Sequence, residues 1–256
     1  MWDPIQYAQF SDERSRPFYD LFGRISGLTP RHAVDLGCGS GELTRLILKR
    51  WRGCQVLGLD SSPSMLALAA EYAVPGQLRF EQRDLATWQA QTPLDLVLSN
   101  AALQWVPSHE RLIPQLASQV APKGVLAVQM PDNFDAPSHR LVRAVAQDGP
   151  WATTLAEFNE RRFVKPLSWY METLQQLGFS VDAWSTEYFH VLQGADPVLE
   201  WIRGTALRPY LQRLEGTPWR TAFETTLAET LREAYPATTH GTVFPFRRLF
   251  FVAVKR

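Results

Sequence analysis

The chain of 256 residues carries 26 basic and 26 acidic residues, a formal net charge of zero, and is 45% apolar and 20% charged. That balance excludes the basic excess of a general nucleic-acid binder and leaves any anionic substrate to a local group of cations. Its two cysteines, Cys38 and Cys54, make neither a disulfide framework nor a metal site.

Residues 1–10 lack a basic stretch followed by an apolar one, and no apolar run reaches the length of a membrane span. A cytoplasmic protein is therefore expected. Ser11-Asp12-Glu13-Arg14-Ser15-Arg16-Pro17 reads as a helix start capped at Ser11 or Ser15. Pro17 places the regular helix from there to Ile25, with Gly27 and Pro30 ending it. Tyr7, Phe10, Arg14 and Arg16 form an aromatic and basic group. It is either an apolar staple with solvated charges or part of a substrate site.

The next stretch organises the chain. Ala33-Val34-Asp35-Leu36 runs through Gly37, Gly39 and Gly41 into Leu43, Leu46, Ile47 and Leu48 at helical spacing. The pattern predicts a strand, a tight turn and a helix over 42–51. Glycine lets a ligand lie against bare backbone, the helix start offers unpaired N–H groups, and ligands of open α/β sheets bind at such turns. The run is G-x-G-x-G with an acid two residues ahead, unlike the G-x-G-x-x-G that seats a pyrophosphate.

A second strand over 55–60 ends in Asp60, about 20 residues past the glycines, where a carboxylate can accept both ribose hydroxyl hydrogens. Ser61 follows, Ser62 caps the next helix with Pro63 at its first position, and Met65 falls beside the base. A third strand over 78–84 ends in Asp84, suited to an exocyclic amine, with Leu85 to cover the ring. A fourth, 94–100, points Asn100, Ala101, Gln104 and Trp105 at the same crevice, near the reacting end of a cofactor. Helix 108–121 and strand 124–130 continue the alternation. Five such steps predict a parallel, doubly wound sheet.

Beyond 131 the pattern loosens into helices over 168–177, 196–214 and 217–235 and strands over 179–192 and 244–254. The stretches at about 131–168 and 193–240 read as a helical cap on a single domain spanning 1–256, with 1–30 as an N-terminal helical segment. His32, His109, His139, His190 and His240 have no metal spacing; each reads as structural, with His190 able to face the pocket.

Asp35-Leu36-Gly37-Cys38-Gly39-Ser40-Gly41 resembles the first motif of class I methyltransferases, which bind S-adenosylmethionine. The resemblance implies a Rossmann-like α/β fold with a mostly parallel sheet, an antiparallel last strand and a helical cap. It also implies that Asp35 faces the methionine ammonium, Asp60 the ribose and Asp84 the adenine. The implied cofactor set is Asp35, Gly37, Cys38, Gly39, Gly41, Asp60, Ser61, Met65, Asp84, Leu85, Asn100 and Ala101. Segments 13–17, 104–107, 124–133, 207–211 and 248–250 further resemble the trans-aconitate 2-methyltransferase family, a likeness running from Tyr7 to the end of the sequence. That family implies a monomethyl ester of a tricarboxylate, with S-adenosylhomocysteine as by-product. The chain departs from it at Ala206, commonly Gly, and at Arg247 within Phe246-Arg247-Arg248-Leu249-Phe250, commonly Phe-Pro-Arg-Leu-Phe.

Such chemistry needs no triad, no metal and no acid–base residue, because a carboxyl with a pKa near 4 is already ionised. It does need cations, and planar guanidinium groups bind carboxylates at two points. Candidate substrate residues are Arg14, Arg16, Gln104, Trp105, Arg208, Tyr210, Arg247 and Arg248. Alternatives are a methyltransferase for another small acid or a carrier-bound acyl group, and a silent cofactor-binding regulator. Nucleic acid, membrane and obligate protein partners are not expected. Zero net charge and the lack of an Asn-Pro-Pro-aromatic motif stand against a nucleic-acid enzyme.

Overall fold

The structure, a computed structural model, describes residues 11–156 and 162–256, with the side chains of 11–14 also outside the description. Tyr7, Phe10 and the side chain of Arg14 therefore lie outside the described residues. The elements are α1 (Ser11–Arg24), β1 (His32–Leu36), α2 (Arg45–Arg50), β2 (Gln55–Asp60), α3 (Pro63–Ala69), β3 (Leu78–Gln82), β4 (Leu94–Asn100), α4 (His109–Ser118) and β5 (Val120–Pro131). They continue with α5 (Pro137–Gln147), α6 (Ala152–Leu155), α7 (Leu167–Gln176), β6 (Phe179–Leu192), α8 (Pro197–Arg203), α9 (Arg208–Arg213), α10 (Arg220–Ala234), β7 (Ala237–Thr238) and β8 (Gly241–Lys255).

One sheet runs in the order β3-β2-β1-β4-β5-β8-β6, with β7 hairpinned onto β8. Its first five strands are parallel. The expected antiparallel strand is β8, inserted between β5 and β6 and antiparallel to both. The strand order reverses between β1 and β4, so the crevice opens where these two diverge at their C-terminal ends. Phe18 and Leu21 from α1, Ile25 just past its end and Ile47 from α2 cover one face of the sheet; Ile113, Leu116, Tyr170 and Leu174 from α4 and α7 cover the other. The helices after β5 and β6 pack around their own core, which includes Trp151, Trp201, Tyr210 and Phe223 and closes on Phe244 and Phe246 of β8. Among the described residues, no helix is long and apolar enough to cross a membrane.

Several boundaries differ from those expected, each for a physical reason. Helix α1 begins at Ser11 and contains Pro17. The proline costs about 3 kcal/mol in a helix interior, but Phe18, Leu21 and Ile25 on the same face are at most 1% exposed and gain about 1.5–3 kcal/mol each. Helix α2 starts at Arg45 because the turn before it winds tighter, with Leu46 N–H bonded to the Leu43 carbonyl and Ile47 N–H to Thr44, both at 3.0 Å. Strand β3 stops at Gln82, leaving Asp84 in the turn beyond it, and no helix links β3 to β4. Helix α4 ends at Ser118 because β5 already begins at Val120, which pairs with Leu94. A register shift follows, with Lys123 at φ +63°, before Val125 meets Leu96. The single helix expected over 196–214 breaks into α8 and α9 around Gly204, where Leu207 N–H reaches back to Ile202 at 3.0 Å and Pro209 starts the next helix.

Candidate active site

The glycine turn is tied to its neighbour strand by backbone: Gly37 and Cys38 N–H donate to the Leu59 carbonyl at 2.7 and 2.9 Å. Gly37 lies at φ +81°, and a Cβ there would stand 2.1 Å from the Cβ of Ala102. Gly39, at φ +54°, has nothing within 4 Å of its Cβ position, so its backbone is open to a ligand. Gly41 serves packing instead: a Cβ there would meet Phe80 at 2.8 Å and Ala69 at 3.0 Å.

Asp60 stitches two loops together. Its Oδ2 accepts from Gly39 N–H at 2.9 Å and its Oδ1 from Ser62 N–H at 2.8 Å. Each oxygen keeps a further acceptor site for a hydroxyl. Ser62 caps α3 through Met65 N–H, as its position before Pro63 predicts. Asp84 accepts from Ala86 N–H at 2.9 Å, which fixes the turn that carries Leu85.

These loops enclose a cavity of about 760 Å³, the size of a nucleotide-like ligand together with a small acid. Ten of the twelve candidate cofactor residues line it: Gly37, Cys38, Gly39, Asp60, Ser61, Met65, Asp84, Leu85, Asn100 and Ala101. The other two do not. Gly41 is used for packing, and Asp35, 4% exposed, sits behind the wall with Thr44 Oγ1 donating to it at 2.6 Å. Burial pushes the Asp35 carboxyl up to about 6, against the Thr44 hydrogen bond that lowers it. The cavity also takes in Ser15, Glu42, Leu43, Ser62, Ala102, Val106 and Pro107, which sequence reasoning missed. The signal for Ala102 was present in the small residues after Asn100. That for Ser15 was not, because it arrives from α1.

The candidate substrate residues divide. Trp105 and Arg208 line the cavity, Trp105 at its mouth with 46% exposure. Gln104 folds back, donating from Nε2 to the Ala101 carbonyl at 2.7 Å, while its Oε1 is buried without a partner. Arg16 is exposed, its guanidinium 5.1 Å from the Tyr188 ring centre, and lines a recess of about 300 Å³ beside the main cavity. Arg248 is 4% exposed, with Nη1 3.5 Å from Gln129 Oε1. Two residues are corrected. Tyr210 is 1% exposed in the cap core and stacks on Phe223, so its ring serves packing. Arg247 alternates with Arg248 along β8, lies on the exposed side and faces Asp132 at 3.8 Å.

Asn100 Oδ1, Gln104 Oε1, Gln129 Nε2 and His190 Nε2 are buried side-chain atoms with no hydrogen-bond partner. Each such group costs about 1–3 kcal/mol unless something else satisfies it. Among the described residues no group of three potential metal ligands converges.

Histidines with lowered pKa values tie stability to pH on the acid side. Burial, reinforced by nearby arginines, lowers His139 and His190 to about 4. At pH 5 the unfolded chain binds both imidazole protons and the native chain neither, while Asp35, raised to about 6, is protonated only when folded. His109, also lowered by burial, adds to the protons taken up on unfolding, so stability is predicted to fall as pH drops from 6 towards 4. Denaturant melts at pH 7, 6 and 5 check this; a flat or rising series would refute it.

Residues 33–124 match a family model described as a methyltransferase domain. Over 99% of its length the chain is 49% identical to the trans-aconitate 2-methyltransferase of Streptomyces avermitilis, covering 97% of that protein. It is 46% identical to the enzyme of the same name from Streptomyces coelicolor, again over 99% of its length and 86% of that protein. Among solved structures, an S-adenosylmethionine-dependent methyltransferase from Mesorhizobium loti superposes with a TM-score of 0.55 at 21% identity, covering 96% of this chain and 100% of that one; the likeness is one of fold.

Proposed function

The chain belongs to the trans-aconitate 2-methyltransferase family, and on that premise we propose that it methylates one carboxylate of trans-aconitate with S-adenosylmethionine as donor. The cofactor half of this reading is carried by the cradle around Asp60. Its carboxylate holds both loops, keeps acceptor capacity on each oxygen, and faces the open backbone of Gly39. A Cβ at Gly39 would fill that space, and residues of this kind suit an adenosyl group. Asp60 and Ser61 would hold the ribose, Met65, Asp84 and Leu85 the adenine, and Gly37 to Gly39 with Asn100 and Ala101 the methionine part. Asp35 acts from behind the loop, as a charge rather than a direct wall. Bound there, the cofactor supplies an electrophilic sulfonium methyl group that an ionised carboxylate can accept without a base.

The chain's own residues then have three tasks: bind the acid, align it, and keep water out. Arg208 brings a guanidinium to the cavity from α9, and Trp105 and Val106 supply its apolar wall. Arg16 and Arg248 stand further along the α1 face of the sheet. The sheet and its cap work as one unit spanning 1–256, because Arg208 comes from the cap. Two buried free thiols, Cys38 and Cys54, suit a reducing compartment, the cytoplasm.

Incubation with labelled donor and a panel of di- and tricarboxylic acids, followed by identification of the ester, tests the reading; no labelled ester from any acid would refute it. Within it, Arg208→Ala is expected to raise the KM for trans-aconitate about tenfold or more, leaving the dissociation constant for S-adenosylhomocysteine unchanged. Equal KM values would remove Arg208 from the site.

A further inference from the structure

The sheet face covered by α1 is apolar along most of its length, yet turns polar at the end nearest the cavity. Asn100 of β4 lines that cavity and pairs in register with Gln129 of β5, which pairs in turn with Phe250 of β8. Arg248 is two residues from Phe250 and so shares its face. Its Nη1 lies 3.5 Å from Gln129 Oε1, and its guanidinium is 4.9 Å from the Phe246 ring centre. Beyond Phe246, His190 of β6 stacks on Trp201 of the cap at 4.7 Å, which fixes the imidazole plane.

Gln129 is fully buried and His190 only 7% exposed, and the Nε2 of each has no hydrogen-bond partner. Gln129 already serves Arg248 through its Oε1, but its Nε2 and the Nε2 of His190 carry a desolvation cost that no hydrogen-bond partner among the described residues offsets. The two unsatisfied nitrogens flank a buried guanidinium, and the charge of Arg16 also bears on His190. Two N–H donors and an arginine, all three side chains buried, match the needs of a carboxylate.

We propose that Gln129, Arg248 and His190 form the subsite that holds a carboxylate of the acceptor other than the one being methylated, and so select a tricarboxylate over smaller acids. The proposal rests on the carboxyl-methyltransferase reading above. Asn100 marks the junction between this subsite and the cofactor cavity. The reacting carboxylate lies on the Asn100 side and the retained one on the Arg248 side. His190 serves as the neutral imidazole with its hydrogen on Nε2, its ring kept uncharged by burial beside two arginines.

The test compares trans-aconitate with an unsaturated dicarboxylate lacking one of its carboxyl groups. The variants are His190→Phe, which keeps the stack on Trp201 but removes Nε2, and Gln129→Met, which keeps the length but removes the donor. Each is expected to raise the KM for trans-aconitate about tenfold. The KM for the dicarboxylate and the affinity for S-adenosylhomocysteine should stay within twofold. Gln129→Glu, placing a second negative charge in the subsite, should raise the tricarboxylate KM further. KM values that change equally for both acids, or not at all, overturn the proposal. Thermal melting confirms the fold, and if one variant fails to fold the other carries the test. If the wild-type protein esterifies no acid, the reading of function fails by itself. The subsite is then tested by calorimetric titration of trans-aconitate into wild type and His190→Phe: weaker binding to the variant supports it, and equal binding or none overturns it.

Discussion

Asp60→Ala is expected to weaken S-adenosylmethionine binding by about 100- to 1000-fold. The side chain accepts from Gly39 and Ser62 N–H, so its removal leaves two loop amides without their partner. It also takes away the acceptor for the ribose hydroxyls, and hydrogen bonds to a charged group are worth about 1.5–3 kcal/mol each. Two of them at the lower end of that scale amount to about 3–4 kcal/mol, or about 100- to 1000-fold in affinity. Asp60→Asn keeps one acceptor oxygen and should lose less. Calorimetric titration of the three proteins with S-adenosylhomocysteine gives the answer. A folded Asp60→Ala protein that binds within fivefold of wild type would remove Asp60 from the cofactor site.

Gly37→Val is expected to cost about 2–6 kcal/mol of stability. Two penalties add. Gly37 sits at φ +81°, where a β-branched residue is strained by about 1–3 kcal/mol. The new Cβ also falls 2.1 Å from Ala102 Cβ, and relieving such an overlap costs about 1–3 kcal/mol more. A double variant separates the two terms. Ala102→Gly removes the obstructing atom, so Gly37→Ala combined with Ala102→Gly should recover much of the loss seen in Gly37→Ala alone. Denaturant melts measure all four proteins. No recovery in the pair would show that the backbone conformation, rather than the contact, sets the requirement.

The lining of the candidate cofactor cavity was legible in the sequence because its residues are local. Each occupies a strand end followed by a turn whose glycines, serine cap or proline announce it: Gly37 after β1, Asp60 with Ser62 and Pro63 after β2, Asn100 with Ala101 after β4. The parallel order and the antiparallel strand followed from the same alternation and from the family likeness. The candidate acceptor residues were less legible, because they meet only through long-range pairing. Tyr210 and Arg208 lie two residues apart, yet one is turned into the cap core and the other lines the cavity; a helix broken at Gly204 decides which. Arg247 and Arg248 are adjacent, and strand alternation alone sends one outward and the other inward. Gln129 lies in a stretch, 124–133, that carries the family likeness as a whole but reads locally as an apolar strand. Only its register beside Asn100 and its reach towards Arg248 distinguish it.

The insertion of β8 between β5 and β6 has a consequence for how the protein is made. While the ribosome is still adding residues before 241, β6 has no neighbour to pair with and β5 has only β4. More than a hundred residues separate β5 from the segment that must slot in beside it, so this join is slow and late. Until it forms, two strand edges are open to foreign chains. A nascent protein released at residue 240 is expected to aggregate, and supplying residues 241–256 as a separate peptide during refolding should restore solubility.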